Sequence, residues 1–207
     1  MTMTNHFKAV GFDLGGVVIG NAVPKVYDYI QTGLHVSYTE LKNALNDLEP
    51  LLQKNEISEE EFWAKLNHKL GVSADVKVEP SYWTEHYIKD SPIRSKVLEL
   101  VDVLKAKGYK TGLLSNIDER HLKLNEQRHI FNHFDVALFS SKINAIKPEP
   151  RAYTTLLDAL SVKASELIFI DDLIANVIGA QQIGIYGIKF VGYSVLIKEL
   201  KSVGIEL

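Results

Sequence analysis

The sequence predicts an α/β fold, a doubly wound parallel sheet with an all-helical segment inserted after its first strand. Three observations carry that reading. Five short runs rich in β-branched and aromatic residues are apolar on both alternating faces, as strands covered by helices on both sides must be. Helix-period segments alternate with the later runs, the pattern of parallel βαβ units. Residues 20–91 break the rhythm, with several helical patterns and no convincing strand.

Each element has its own signal. KAVGFDL (8–14) reads as the first strand and is expected at the centre of the sheet. Inside the insertion, YTELKNALNDLEPLLQK is amphipathic, and ISEEEFWAKLNHKLG opens on Ser58 with Glu61 placed to complete a capping box. SPIRSKVLELVDVLKAKG puts Pro92 just inside a Ser91 cap and ends on Gly108. The remaining strands are YKTGLLS (109–115), FDVALFS (134–140), ELIFIDD (166–172) and GIYGIKFV (184–191), with RAYTTLLDALSV and LIANVIGAQQIG as helices between them. The expected division is a core at 1–16 and 92–207 and a helical cap at 17–91.

Composition narrows the function classes. A net charge of −3 leaves no basic excess to neutralise phosphates, which argues against a nucleic-acid or anionic-membrane surface. The chain has no cysteine, so disulfides, thiol catalysis and cysteine metal sites are excluded. Its apolar runs are strand-length, and MTMTNHFK lacks the basic start and long apolar segment of a secretory signal, so a cytoplasmic location is the expectation.

In an open α/β sheet, ligands bind beyond the carboxyl ends of the strands. The first strand here ends in Asp13, the second in Ser115-Asn116 and the fourth in Asp171-Asp172, while the loop SSKINAIKPEP after the third carries Lys147. Singly, each has a plainer reading as turn chemistry, a helix cap or a solvated charge. Adjacent acids after LIFI are the strongest sign, because they repel unless a cation joins them. Together the set matches phosphoryl transfer to a carboxylate. Mg²⁺, which prefers oxygen ligands, would be held by Asp13, Asp172 and Asp171. Ser115, Asn116 and backbone N–H groups would donate to the phosphoryl oxygens, and Lys147 would add a point charge.

These residues resemble the haloacid dehalogenase (HAD) superfamily over essentially the whole chain. FDLGGVV resembles its first motif, LLSN the second, KPEP the third and FIDDLIANVIGA the fourth, and the helical insertion resembles its cap. The resemblance implies a Rossmann-like core and a Mg²⁺-dependent phosphatase acting on a small phosphoester such as a sugar phosphate. It implies that Asp13 is a nucleophile forming an aspartyl-phosphate and that the Gly15 carbonyl is a metal ligand. Asp172 would be the side-chain ligand from the fourth motif with Asp171 beside it, Asn176 would orient the metal-binding acid, and Ser115, Asn116 and Lys147 would bind the phosphoryl group. The DLG first motif and DDxxxN fourth motif resemble α-glucose-1-phosphate phosphatase-like proteins and the N-terminal phosphatase half of soluble epoxide hydrolases.

One position departs from the pattern. Most phosphatases of the superfamily carry a second Asp two residues after the nucleophile, as general acid and base, and here Gly15 stands there. Water or a polar group from the cap would then move the proton, or the rate would follow the leaving group's own acidity, favouring 1-phosphates, aryl and acyl phosphates over alkyl esters. A dehalogenase-type hydrolase also lacks that Asp, but it expects Tyr and Arg that residues 14–24 do not offer. A non-catalytic binding or regulatory descendant is the third reading. In the cap, Tyr27, Trp63, Tyr82, Trp83 and His86 are candidates for a sugar-sized pocket, though aromatics at helical spacing are more often core. His35, His68, His121, His129 and His133 lack ligand spacing and receive no metal role.

Overall fold

The computed structural model describes residues 6–73 and 87–207. Five strands, β1 (Ala9–Phe12), β2 (Lys110–Ser115), β3 (Val136–Phe139), β4 (Leu167–Asp171) and β5 (Tyr186–Lys189), form one parallel sheet in the order β3-β2-β1-β4-β5. β1 is central, and all four of its residues are buried. Period-two alternation sorts the side chains onto two apolar layers. Val10, Phe12, Ile168 and Ile170 face one layer, and Ala9, Leu167 and Phe169 face the other. Burying each large side chain stabilises the fold by roughly 1.5–3 kcal/mol, which fixes strand register.

That register builds the site. Phe12 lies level with Leu113 on one side and Ile170 on the other, so the next residues, Asp13 and Asp171, emerge side by side at the carboxyl edge. The Asp13 amide donates to the Ile170 carbonyl at 2.9 Å, extending the ladder by one residue to Asp13.

Among the described residues, helices α1 (Val23–Leu34), α2 (Tyr38–Gln53) and α3 (Glu59–Leu70) follow β1. Both α2 and α3 start with complete capping boxes, Ser37 with Glu40 and Ser58 with Glu61; such a cap stabilises a helix by about 1 kcal/mol. Val26, Ile30, Leu41, Leu45, Phe62 and Leu66 form a core of their own among these helices, whereas Val17, Val18 and Ile19 belong to the layer under the sheet.

The sheet is then covered by α4 (Ser95–Ala106), α5 (Glu119–Glu126), the short α6 (Ser140–Ile143), α7 (Pro150–Leu160), α8 (Ile174–Gln182) and α9 (Tyr193–Ser202). The expected Ser91 cap is corrected here. Ser91 is buried and donates to the Tyr87 carbonyl at 2.6 Å, and α4 starts only at Ser95, with Arg94 at its cap position. The reason is a contact distant in sequence. Gly20 donates to the Pro92 carbonyl and Arg94 to the Val18 carbonyl, which holds 92–94 extended against 18–20. Among the described residues no helix is long and apolar enough to cross a membrane.

Candidate active site

Asp13, Asp171 and Asp172 each bring a carboxylate oxygen to within 4.8 Å of the others. Lys147 Nζ lies between two of them, 2.6 Å from Asp13 Oδ1 and 2.8 Å from Asp171 Oδ2, and over the Phe169 ring. Asp171 is 0% exposed, Lys147 3% and Asp13 7%, so this is a buried ionic cluster and its protonation is set by desolvation as much as by charge. Burial pushes the Asp13 carboxyl up to about 7 against the pull of Lys147, with Asp171 and Asp172 adding to the rise. Burial alone would lower the Lys147 ammonium, but Asp13 and Asp171 outweigh it and hold the group above its ordinary value. Asp172 is raised by burial and then by Asp171.

The cluster is held from behind. Asp171 Oδ1 accepts from the Leu173 amide at 2.8 Å, and Asn176 Nδ2 donates to both Asp171 oxygens at 3.1 and 3.0 Å. Asn176 therefore fixes Asp171, not Asp172, and Asp172 does not cap α8, whose cap position is Leu173. Asn116 differs from its expected place too. Its Nδ2 donates to the Lys147 carbonyl and its Oδ1 accepts from the Lys147 amide, both at 2.8 Å. Its side chain thus anchors the lysine's backbone. Ser115 is buried at the end of β2, on the wall of the adjacent cavity.

Two neighbouring glycines play different parts. At Gly15 a Cβ would meet nothing within 4 Å. Gly16 sits at φ +78°, and a Cβ there would overlap the Asp172 carboxylate. The missing side chain at 16 is what lets Asp172 rest against the β1 loop. Gly16→Ala is therefore expected to displace Asp172 and lower hydrolysis by about 10²-fold, while Gly15→Ala changes it less than about threefold. Equal losses in the two variants, measured as phosphate release, would contradict this assignment.

A cavity of about 120 Å³ adjoins the cluster, walled by Gly15, Ser115, Asn116, Asp118 and His121 below and by Val26, Tyr27, Glu49, Leu52 and Phe62 from the helices above. Tyr27 donates to Glu49 at 2.6 Å, and burial raises Glu49 above the ordinary carboxylate range. Across the cleft, Arg120 of α5 pairs with Glu59 of α3 at 2.6 Å. Trp63 packs onto the helical core, and Tyr82, Trp83 and His86 lie outside the described residues. Asp118 and His121 pair with each other on the cavity wall, and their pairing is local: Asp118 is the α5 cap and His121 lies on that helix's first turn.

Comparison with known proteins decides the family. The description "haloacid dehalogenase-like hydrolase" matches residues 7–184. The chain belongs to this family. It is 30% identical over 116 residues to bifunctional epoxide hydrolase 2 of Rattus norvegicus, a match covering 54% of this chain and 21% of that protein, about a fifth of the relative's length. The sesquiterpene phosphatase astK of Aspergillus oryzae is 24% identical over 203 residues, 97% of this chain and 98% of its own. A HAD family enzyme of Bacteroides thetaiotaomicron, solved in complex with magnesium and inorganic phosphate, has a TM-score of 0.73 at 23% identity, over 92% of this chain and 98% of that one. This HAD hydrolase therefore shares the fold of that enzyme.

Proposed function

We propose that this HAD hydrolase is a magnesium-dependent phosphatase that cleaves a small phosphoester through an aspartyl-phosphate on Asp13. The convergence of three carboxylates on one point, with Lys147 bonded to two of them, supports the reading most directly. An all-oxygen donor set beside a glycine that accommodates Asp172 fits a hard divalent cation. Asp13, Asp172 and the Gly15 carbonyl would hold it, with Asp171 alongside. Bound there, magnesium would offset the repulsion between the carboxylate and the phosphoryl group. The relatives' phosphatase names and the magnesium–phosphate complex of the structural neighbour support the same assignment.

The chain's own residues then do the following. Asp13, its Oδ1 fixed by the Leu14 amide at 2.7 Å and by Lys147, attacks phosphorus. Ser115, the backbone N–H of Asn116 and Lys147 bind the transferring oxygens, with Lys147 positioned by the Asn116 side chain. Asn176 holds Asp171, and Asp171 with Asp13 holds the lysine charged. Helices α1–α3 act as a cap that closes the site and limits the substrate to one small enough to be enclosed.

A screen of sugar 1-phosphates, sugar 6-phosphates, nucleotides, aryl phosphates and acyl phosphates tests this. Phosphate release is expected with magnesium and not after chelation. Magnesium should also raise the thermal midpoint of the wild type, as any ligand selective for the folded state does, and do so far less in Asp172→Asn. Equal turnover with and without chelator would contradict the assignment. The carboxylate cluster gives no support to a dehalogenase reading, which needs no metal.

A further inference from the structure

The cavity beside the carboxylate cluster is apolar over most of its wall, with Val23, Val26, Leu52 and Phe62 from the cap helices and Ile19 and Ile117 from the core. Several of its polar groups are already engaged. The Asn116 side chain holds the Lys147 backbone, and Asn21 Oδ1 accepts from the Val23 amide at 3.1 Å. Asp118 accepts from the Arg120 and His121 amides and pairs with the His121 ring. Glu49 of α2 differs. Its carboxylate has one hydrogen bond among the described residues, from the Tyr27 hydroxyl to Oε1 at 2.6 Å, and both partners of that bond line the cavity. The described wall carries no Lys and no Arg. Burial raises Glu49 above its ordinary range, and Asp118 adds to the rise against the pull of Tyr27 and His121. A carboxylate in such a place is stabilised most by a cation that enters with a ligand.

We propose that the substrate is an aminoalkyl phosphate, a short chain ending in a primary ammonium group, and that Glu49 selects it. This rests on the phosphatase reading of the site and names its substrate class. Gly15 and Ser115 connect the cavity to the cluster that would take the phosphoryl group, and Glu49 stands on the cap wall above them. A leaving group that enters past Gly15 thus meets Glu49 as the charged group of that upper wall.

Size and polarity narrow the class. A cavity of about 150 Å³ takes a benzene ring, so the roughly 120 Å³ here holds about five non-hydrogen atoms. An oxygen, a short run of methylenes and an ammonium fill that space. The methylenes lie against the apolar wall, and the ammonium balances Glu49. The rings of Tyr27, Phe62 and Tyr87 on the same walls suit a cation as well. A hexose exceeds the volume, and its hydroxyls would be buried against Val26, Leu52 and Phe62 without partners. Sugar phosphates, the example the resemblance suggested, are therefore expected to be poor substrates. Glu49 lies in YTELKNALNDLEPLLQK, which reads from the sequence only as an amphipathic helix; its contact with Tyr27 of α1 is what marks it.

The test compares kcat/KM for phosphate release from aminopropyl, hydroxypropyl and propyl phosphate and a hexose 6-phosphate, with magnesium-loaded protein. The three propyl esters match in length, so their differences report the terminal group. Aminopropyl phosphate should exceed propyl phosphate by about 10²-fold, with the hydroxyl ester between them and the hexose ester lowest. Glu49→Gln, which keeps the side chain's size, should lose most of that ratio through a selective fall in the ammonium ester. Tyr27→Phe, which leaves the carboxylate in place, should keep the preference. Binding gives a second readout in the Asp13→Asn protein. Aminopropyl phosphate should raise its thermal midpoint more than propyl phosphate does, and adding Glu49→Gln should remove the difference. A propyl or hexose ester turned over as well as the ammonium ester, or an ammonium preference that survives in Glu49→Gln, would overturn the proposal. Failure of the wild type to release phosphate from any ester would instead remove the phosphatase reading and this proposal with it.

Discussion

Asp13→Asn is expected to abolish hydrolysis, lowering turnover by about 10⁴-fold or more, because the remaining groups act only in concert with the nucleophile. The amide is nearly the same size, keeps the Leu14 contact and removes the charge, so the loss reports chemistry and not packing. The same variant changes how stability depends on pH, with a sign that can be worked out. In the chelated protein Asp13 keeps its proton up to about 7, against 3.8 for the ordinary carboxyl. Between those values the folded state binds more protons than the unfolded one, so this group makes the protein less stable as pH rises through the window. Asp13→Asn removes that contribution. Its thermal midpoint should fall less than the wild type's over the same window; parallel curves would contradict the raised Asp13 pKa.

Lys147→Ala is expected to cost both stability and rate. It leaves Asp13 and Asp171 buried and facing each other without the ammonium that bonds to both. Removing one partner from a buried ion pair destabilises by about 3–5 kcal/mol. Turnover should fall by about 10²–10³-fold, the usual loss when one stabilising contact to the transition state is removed. Because Lys147 acts on the phosphoryl group, the factor should be similar for every substrate. A loss that varied strongly with the leaving alcohol would place Lys147 against the organic part of the substrate.

The parts of this account legible in the sequence are those with local causes. The five strands follow from apolar runs, and the Ser58–Glu61 capping box from four consecutive residues. Asp13, Ser115, Lys147 and Asp171-Asp172 could be gathered in advance because parallel topology sends all strand ends to one edge. What could not be read depends on contacts distant in sequence. Ser91 loses its cap role because 92–94 pairs with 18–20. Asn116 is turned away from the expected phosphate contact because its amide fits the Lys147 backbone, which is far along the chain. Gly16 matters through Asp172, which is far along the chain. No spacing rule encodes that contact.

The central claim is that Asp13 carries the phosphoryl group, and the most direct measurement looks for it there. Magnesium-loaded protein is mixed rapidly with an aryl or acyl phosphate, quenched in acid and digested, and its peptides are weighed by mass spectrometry. The account predicts a phosphorylated peptide containing Asp13 that forms within one turnover, decays as substrate is exhausted and is absent from Asp13→Asn. Phosphate released at the wild-type rate while that peptide stays unmodified at every time point would contradict it.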